Sequence, residues 1–247
     1  MKKRIWIIPL LIIIFWQIVI STKIVNTFFF PSPLETIIEL GTLIIQKTIL
    51  KDIFATITRI LIAFSIALII GLPLGLIMGY SKKIYEKFEL IIDFFRSIPS
   101  ITLFPLCLLI FGIGDKSKIA VAVSAAVIII IFNTAQGVMQ SKKSRVFAAK
   151  LMGASKMQIL KHIFFWESLP QTLIGMRIAL SFCIIVIIIT EMFIGTYAGI
   201  GKKIIDFQYV YNIKGIYAMI LLTGLIGYLL NIGIVYLEKR IIHWSGN

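Results

Sequence analysis

Apolar residues in this chain come in long runs, each ended by charged or turn residues. A hydrocarbon core about 30 Å thick takes roughly twenty helical residues to cross at about 1.5 Å each. Roughly six runs approach that length: Ile5 to Ser21, Ile53 to Met78, Leu90 to Phe111, Ile119 to Met139, Leu173 to Ile194 and Ile216 to Leu237. The pattern predicts an all-α membrane protein with about six transmembrane helices. Between the first two runs, residues 28–50 mix Leu34, Ile37, Ile38, Leu40 and Ile44 with Glu35, Glu39 and Gln46, behind Pro31 and Pro33. That mixture suits an amphipathic helix lying in the outer interface.

The long polar interval, from Phe147 to Pro170, interrupts this regime. Ala148, Ala149 and Gly153 give it a surface nearly free of side chains, which another protein's backbone could approach closely. Gly153 reads as a helix stop and Ser155 as the N-cap of a restart. With the residues just before it, the interval makes residues 140–170 a candidate coupling loop.

Composition narrows the class. With 59% hydrophobic residues, 15% charged and a mean hydropathy of +1.00, the chain cannot be a soluble domain. The net charge of +14 would point to nucleic acid in a soluble protein. Here the basic residues cluster at the ends of apolar runs, so topology accounts for them and no nucleic-acid partner is expected. Counting crossings from a cytoplasmic N-terminus puts Lys2 to Arg4, Lys82, Lys83, Lys87, the basic residues from Lys142 to Lys161, Lys239 and Arg240 on one side. Lys23, Lys47, Lys51, Lys116, Lys118, Lys202, Lys203 and Lys214 fall on the other. The first set is larger and closer to the helix ends, so both termini and the candidate loop are expected in the cytoplasm. Met1 to Ser21 has a signal-like start, but no small-x-small pattern follows it, which favours an uncleaved anchor helix.

Cys107 and Cys183 lie within apolar runs and read as buried thiols. His162 and His243 have no metal-ligand companions, so no metal is expected. The chain contains no Gly-x-x-x-x-Gly-Lys-Ser/Thr sequence to hold nucleotide phosphates. Its energy must come from a gradient or a partner.

Gly71, Gly75 and Gly79 share one helix face around Pro73, a pattern for close helix packing and for a softened, bending helix. Charges within the runs are costly, about 2.5 to 3.5 kcal/mol each near the bilayer centre. Arg59, Arg96, Arg177 and Glu191 stand out. Arg96 and Arg177 lie near cytoplasmic ends, where snorkelling accounts for them, and Asp93 is placed to pair with Arg96. Glu191 and Arg59 fall at comparable outer depths and are expected to pair or to line a polar cavity together. Pro99 and Pro105 interrupt the third run, and the backbone carbonyls they free need neighbouring helices or a water-filled path. Arg59, Arg96, Pro99 and Glu191 are therefore the candidate translocation pathway.

The order of these features resembles the permease subunit of an ATP-binding-cassette importer of the nitrate/sulfonate/taurine type. That family's cytoplasmic signature reads Glu-Ala-Ala, three residues, Gly, nine residues, then Ile-x-Leu-Pro. Ala148, Ala149, Gly153 and Ile163 match it, while Phe147 stands at the Glu position and Phe165-Trp166 at the Leu-Pro position. A second Leu-Pro follows at Leu169-Pro170. Further similarity runs through Pro31-Ser-Pro, Thr56-Ile-Thr-Arg59, Arg96-Ser-Ile-Pro99, Pro105-Leu, Phe111-Gly-Ile-Gly114, Asn133-Thr, Gly175-Met-Arg177, Thr190-Glu-Met192, Gly199-Ile-Gly201 and Trp244.

The resemblance implies a type I importer permease fold and a homodimer in the cytoplasmic (inner) membrane. It implies two cytoplasmic ATPase subunits that use ATP and Mg, and an extracytoplasmic solute-binding protein. It further implies that this chain would hold no cofactor and catalyse no reaction itself. Residues 1–51 would be an N-terminal membrane helix with an outer interfacial segment, 52–238 the permease domain, and 239–247 a cytoplasmic tail. Phe147, Ala148, Ala149, Gly153, Ala154, Ser155 and Ile163 would form the loop that docks on the ATPase, and the solute would be a sulfonate, nitrate or related anion. A gradient-driven secondary transporter and a membrane scaffold without a pathway are the alternatives. The first would show an internal repeat with ion-binding groups, and the second leaves Pro99, Pro105 and Glu191 without a purpose.

Overall fold

The computed structural model describes residues 7–22, 25–193 and 195–242. The expected roles of Lys2 to Arg4, Lys23, His243 and Trp244 lie outside these residues. Among the described residues the chain is helical, without strands. In order come α1 (Ile7–Ser21), α2 (Pro33–Ile45), α3 (Leu50–Tyr80), α4 (Lys82–Ser97), a 3-10 turn (Ser100–Leu103), α5 (Phe104–Phe111) and α6 (Asp115–Met139). Then follow α7 (Lys143–Leu151), α8 (Lys156–Ile159), a π turn (Leu160–Phe164), α9 (Phe165–Glu191), α10 (Ile200–Tyr209) and α11 (Ile213–Ile241).

Four stretches are long and apolar enough to cross a membrane: α3, α6, the continuous Lys156–Glu191 and α11. The third expected span is not one helix. α4 and the segment Ser100–Phe111 meet at an angle of 83°, so they make a fifth span only if the bent pair counts as one. The prolines supply the reason. Ile98 precedes Pro99 and takes an extended conformation (φ −81°, ψ 120°), because the proline ring crowds a helical predecessor. Pro105 then sits in the first turn of α5, where no amide donor is required. The described part of the first run, α1, has fifteen residues and falls short of a full crossing.

The chain groups into two compact units whose boundaries fall inside α3, α9 and α11. One unit comprises Met1–Thr56 and Glu191–Ile226. Ser32 and Glu35 close a capping box on α2, with Pro33 at the helix start. Glu35 also meets Lys214 at 2.7 Å, and Trp16 lies against Tyr217 with ring centroids 6.2 Å apart. Thr36, Leu40 and Leu43 of α2 face inward, while Leu34, Ile37, Ile38 and Ile45 are exposed.

The other unit comprises Ile57–Thr190 and Gly227–Asn247, with α6 at its centre. A Cβ added at Gly75 would lie 2.6 Å from Thr134 Cβ, and one at Gly79 would lie 2.6 Å from Val138 Cβ and from the Ala135 carbonyl oxygen. The backbones of α3 and α6 therefore touch along this line, which only small residues allow. On another side of α6, Gly137 meets Ser168 of α9, and Gly175 of α9 meets Asn133 of α6. Polar bonds join the same pair: Gln171 Nε2 donates to Asn133 Oδ1 at 3.3 Å, and Thr172 Oγ1 donates to Thr134 Oγ1 at 3.2 Å.

Candidate functional site

The loop after α6 is built by local rules. α7 ends at Gly153, whose φ of +77° lies in the left-handed region that glycine occupies without strain. The Ala154 amide returns to the Ala149 carbonyl at 3.0 Å and the Gly153 amide to the Lys150 carbonyl at 3.0 Å, the double closure of a Schellman motif. Two residues on, the Ser155 hydroxyl accepts the Gln158 amide while the Gln158 side chain accepts the Ser155 amide, so α8 starts on a complete capping box. Only residues 152–155 thus lie between α7 and α8, making a sharp elbow.

The elbow has an inner and an outer side. Val146, Ala149, Ala154 and Ile163 pack on a core of Leu76, Val138, Ile159 and Phe164, which ties the elbow to the ends of α3 and α6. Phe147, Leu151, Met152 and Met157 point outward, with Met152 83% exposed. Ala148 is half-buried, and Gly153 and Ser155 are exposed. Glu167 clasps the elbow from α9. Its carboxylate accepts the Lys142 amide at 2.8 Å and the Arg145 guanidinium at 2.7 Å.

Arg96 and Pro99 come together at the bend after α4. They line a cavity of 440 Å³ with Ser100, Phe132, Asn133 and Phe182. The guanidinium lies 4.4 Å from the Phe132 ring centroid, a cation–π contact, and Nη1 reaches Asp93 Oδ1 at 3.4 Å. Nearly half of the Arg96 side chain (46%) remains exposed. Among the residues lining this cavity, Arg96 carries the charge; the rest are apolar apart from Ser100 and Asn133. Arg59 is buried in the same unit, and its Nε donates to Asp115 Oδ1 at 2.8 Å. Buried Lys118 stands 3.9 Å from the same carboxylate and donates to the Gly114 carbonyl. Arg177 bonds Asn231 at 3.1 Å on α11.

Glu191 belongs to the other unit and is fully buried. Thr56 Oγ1 donates to its carboxylate at 2.8 Å, and the Gly201 amide donates at 3.0 Å. The Thr56 hydroxyl in turn accepts the Ile200 amide at 2.9 Å, and Asp52 accepts the Gly199 amide at 2.8 Å. Three side chains thus satisfy three successive amides at the start of α10, and the buried negative charge sits at the positive end of that helix. Gly199 is required by contact: a Cβ there would lie 2.4 Å from Glu191 Cδ.

Residues 71–243 match the family model of the binding-protein-dependent transport system inner membrane component. The chain belongs to that family. This permease is 28% identical over 236 residues to the taurine transport system permease protein TauC of Escherichia coli (strain K12), covering 94% of this chain and 86% of TauC. It is 29% identical over 240 residues to the nitrate import permease protein NrtB of Synechocystis sp., with coverage of 94% and 86%. The fold matches a permease chain of the MetNI methionine ABC transporter, solved in inward-facing conformations, with a TM-score of 0.70 at 22% identity over 78% of this chain and 96% of that one. The permease is therefore a multi-pass protein of the inner membrane with a type I importer fold. A binding-protein-dependent system implies an ATPase and a solute-binding protein as partners.

Sequence reasoning passed over Asp52, Asp115, Phe132 and Glu167. Asp115 and Asp52 had a signal, since each is an acid in the first turn of a membrane helix. Phe132 had none, being one apolar residue in an apolar run.

Proposed function

We propose that the permease forms a homodimer around one pathway, served by two cytoplasmic ATPase subunits that bind ATP with Mg, and by an extracytoplasmic binding protein that delivers solute. Both termini and the elbow face the cytoplasm. In chain order, residues 1–51 anchor the protein and 52–238 form the permease domain with the 140–170 loop, leaving 239–247 as a cytoplasmic tail. The observation that carries this reading is the two-sided elbow: its outer ridge of Phe147, Leu151 and Met152 is apolar and exposed, while its inner side is keyed into the ends of α3 and α6. A push on the ridge is transmitted to two membrane helices, as rigid-body alternating access requires. Phe147, at the position where the family pattern has Glu, belongs to this ridge.

The solute is a small organic anion of the sulfonate kind, or nitrate or a related oxyanion. A single guanidinium beside Asn133 and Ser100, in an otherwise apolar cavity, suits an anionic head on a compact body. The similarity to permeases of taurine transport and nitrate import supports this class.

The test is a mild-detergent pull-down of the tagged permease from native membranes. Wild type is expected to retain a stoichiometric ATPase subunit. Gly153→Leu, which strains the turn, and Met152→Asp, which leaves the turn intact, are both expected to lose it while inserting normally. An intact complex with unchanged transport in Met152→Asp would refute the docking assignment.

A further inference from the structure

A second cavity, of 860 Å³, opens where α3 and α6 end. Its floor is apolar, made of Tyr80, Val138 and Phe164, with the Tyr80 and Phe164 rings packed edge to face at 5.6 Å. Its rim is cationic: Lys82 from the start of α4, and Lys143 and Lys150 from opposite ends of α7. Lys82 reaches Glu86 at 3.5 Å, whereas Lys143 and Lys150 have no carboxylate partner among the described residues. Two hydroxyls, Ser141 and Ser144, stand among these, and the lining also takes in Met139, Val146 and Phe147, the last at the edge of the exposed ridge. The Ser141 Oγ is buried and lacks any hydrogen-bond partner, which is uncommon for a polar atom out of water and points to a missing acceptor or donor in the cavity.

We propose that this cavity seats the phosphate headgroup of an anionic phospholipid, with an acyl chain along Tyr80, Val138 and Phe164. The chemistry matches each part of the lining: ammonium groups and a hydroxyl for the phosphate, aromatic and branched surface for the chain. The position matches too, because two membrane helices end here, at headgroup depth, on the side of the molecule richest in basic residues. Bound lipid would pin both ends of α7 to α3 and α4, so the lipid sets how firmly the elbow is held. Neither the solute nor the oligomeric state enters this inference.

The test uses the full-length permease in nanodiscs of phosphatidylcholine with a minority of phosphatidylglycerol. Native mass spectrometry reads the lipid retained on release. Wild type is expected to keep phosphatidylglycerol, and Lys82→Gln/Lys143→Gln/Lys150→Gln to lose it by at least about tenfold. Because the triple variant could misfold, Ser141→Leu, which removes the unpartnered hydroxyl and crowds its place without altering charge, is measured beside it and is expected to retain less lipid as well. Equal retention of phosphatidylglycerol and phosphatidylcholine by wild type would overturn the proposal. So would displacement of the lipid by millimolar inorganic phosphate, which would make this a soluble-anion site. A photo-crosslinker at position 143 that captures the ATPase subunit instead of lipid in the assembled complex would overturn it too.

Discussion

Glu191 has no exposed surface, and its carboxylate holds the Thr56 hydroxyl and the Gly201 amide, whereas Arg96 leaves nearly half its side chain open to a cavity. Both are charges set in apolar sequence, and both stand in the candidate pathway. Their surroundings separate them. Around Glu191 the chain supplies donors on an adjacent helix and on the start of α10, which is how a structural charge is kept. Around Arg96 it supplies one aromatic face and one partly exposed aspartate, and leaves space for a further anion.

The largest effect expected from this contrast is in Glu191→Leu. The Thr56 hydroxyl and the Gly201 amide would lose a charged acceptor in a buried place, at a cost on the order of 3 kcal/mol or more. The thermal unfolding midpoint in detergent should fall steeply, with much less protein recovered from membranes. A Glu191→Leu protein of normal stability that fails only in transport would place Glu191 in the pathway and erase the contrast.

Arg96→Leu should show the opposite profile. Its ion pair with Asp93 is exposed and contributes at most about 1 kcal/mol, so the midpoint should hardly move. Uptake of the proposed anionic solute by the assembled transporter should drop by at least about tenfold, since one charge-assisted contact is lost. Retained uptake would remove Arg96 from the pathway.

The smallest effect is at the surface of α2. The Lys214 ammonium, together with the Ser32 amide, holds the Glu35 carboxyl below its ordinary value of 4.5. A lowered folded value means the contribution is fully present above pH 4.5 and is lost as pH falls through the folded value. Because the side chain is 44% exposed, the change is a fraction of what a buried pair would give. A pH series of the unfolding midpoint below 4.5 should be slightly steeper for wild type than for Glu35→Gln.

Much of the fold was legible because its rules are local or one-dimensional. Hydropathy alone marks α3, α6, α9 and α11, and Gly153 with Ser155 announces the elbow without any tertiary information. The third run misled because hydropathy ignores direction: Pro99 and Pro105 turn apolar residues through 83° without changing how apolar they are. The sites were less legible than the fold. Glu191 stands out as a rare charge, but its neighbour Thr56 is 135 residues away, and Gly199 and Gly201 are ordinary in type. Phe132 gains meaning only because the bend brings Arg96 over its ring, and Glu167 only because the elbow folds back on α9.

The glycine line between α3 and α6 has one last consequence. Gly71 to Gly79 spans two helical turns, roughly 12 Å of axis, and into its notches fit Ile130, Thr134 and Val138. Sliding one rod along the other would drive each of these side chains over a backbone ridge, and prying them apart would open voids that water cannot enter within the bilayer. The cheap motion is therefore the one in which neither happens: the two rods tilt together as a single beam, with the elbow as its handle.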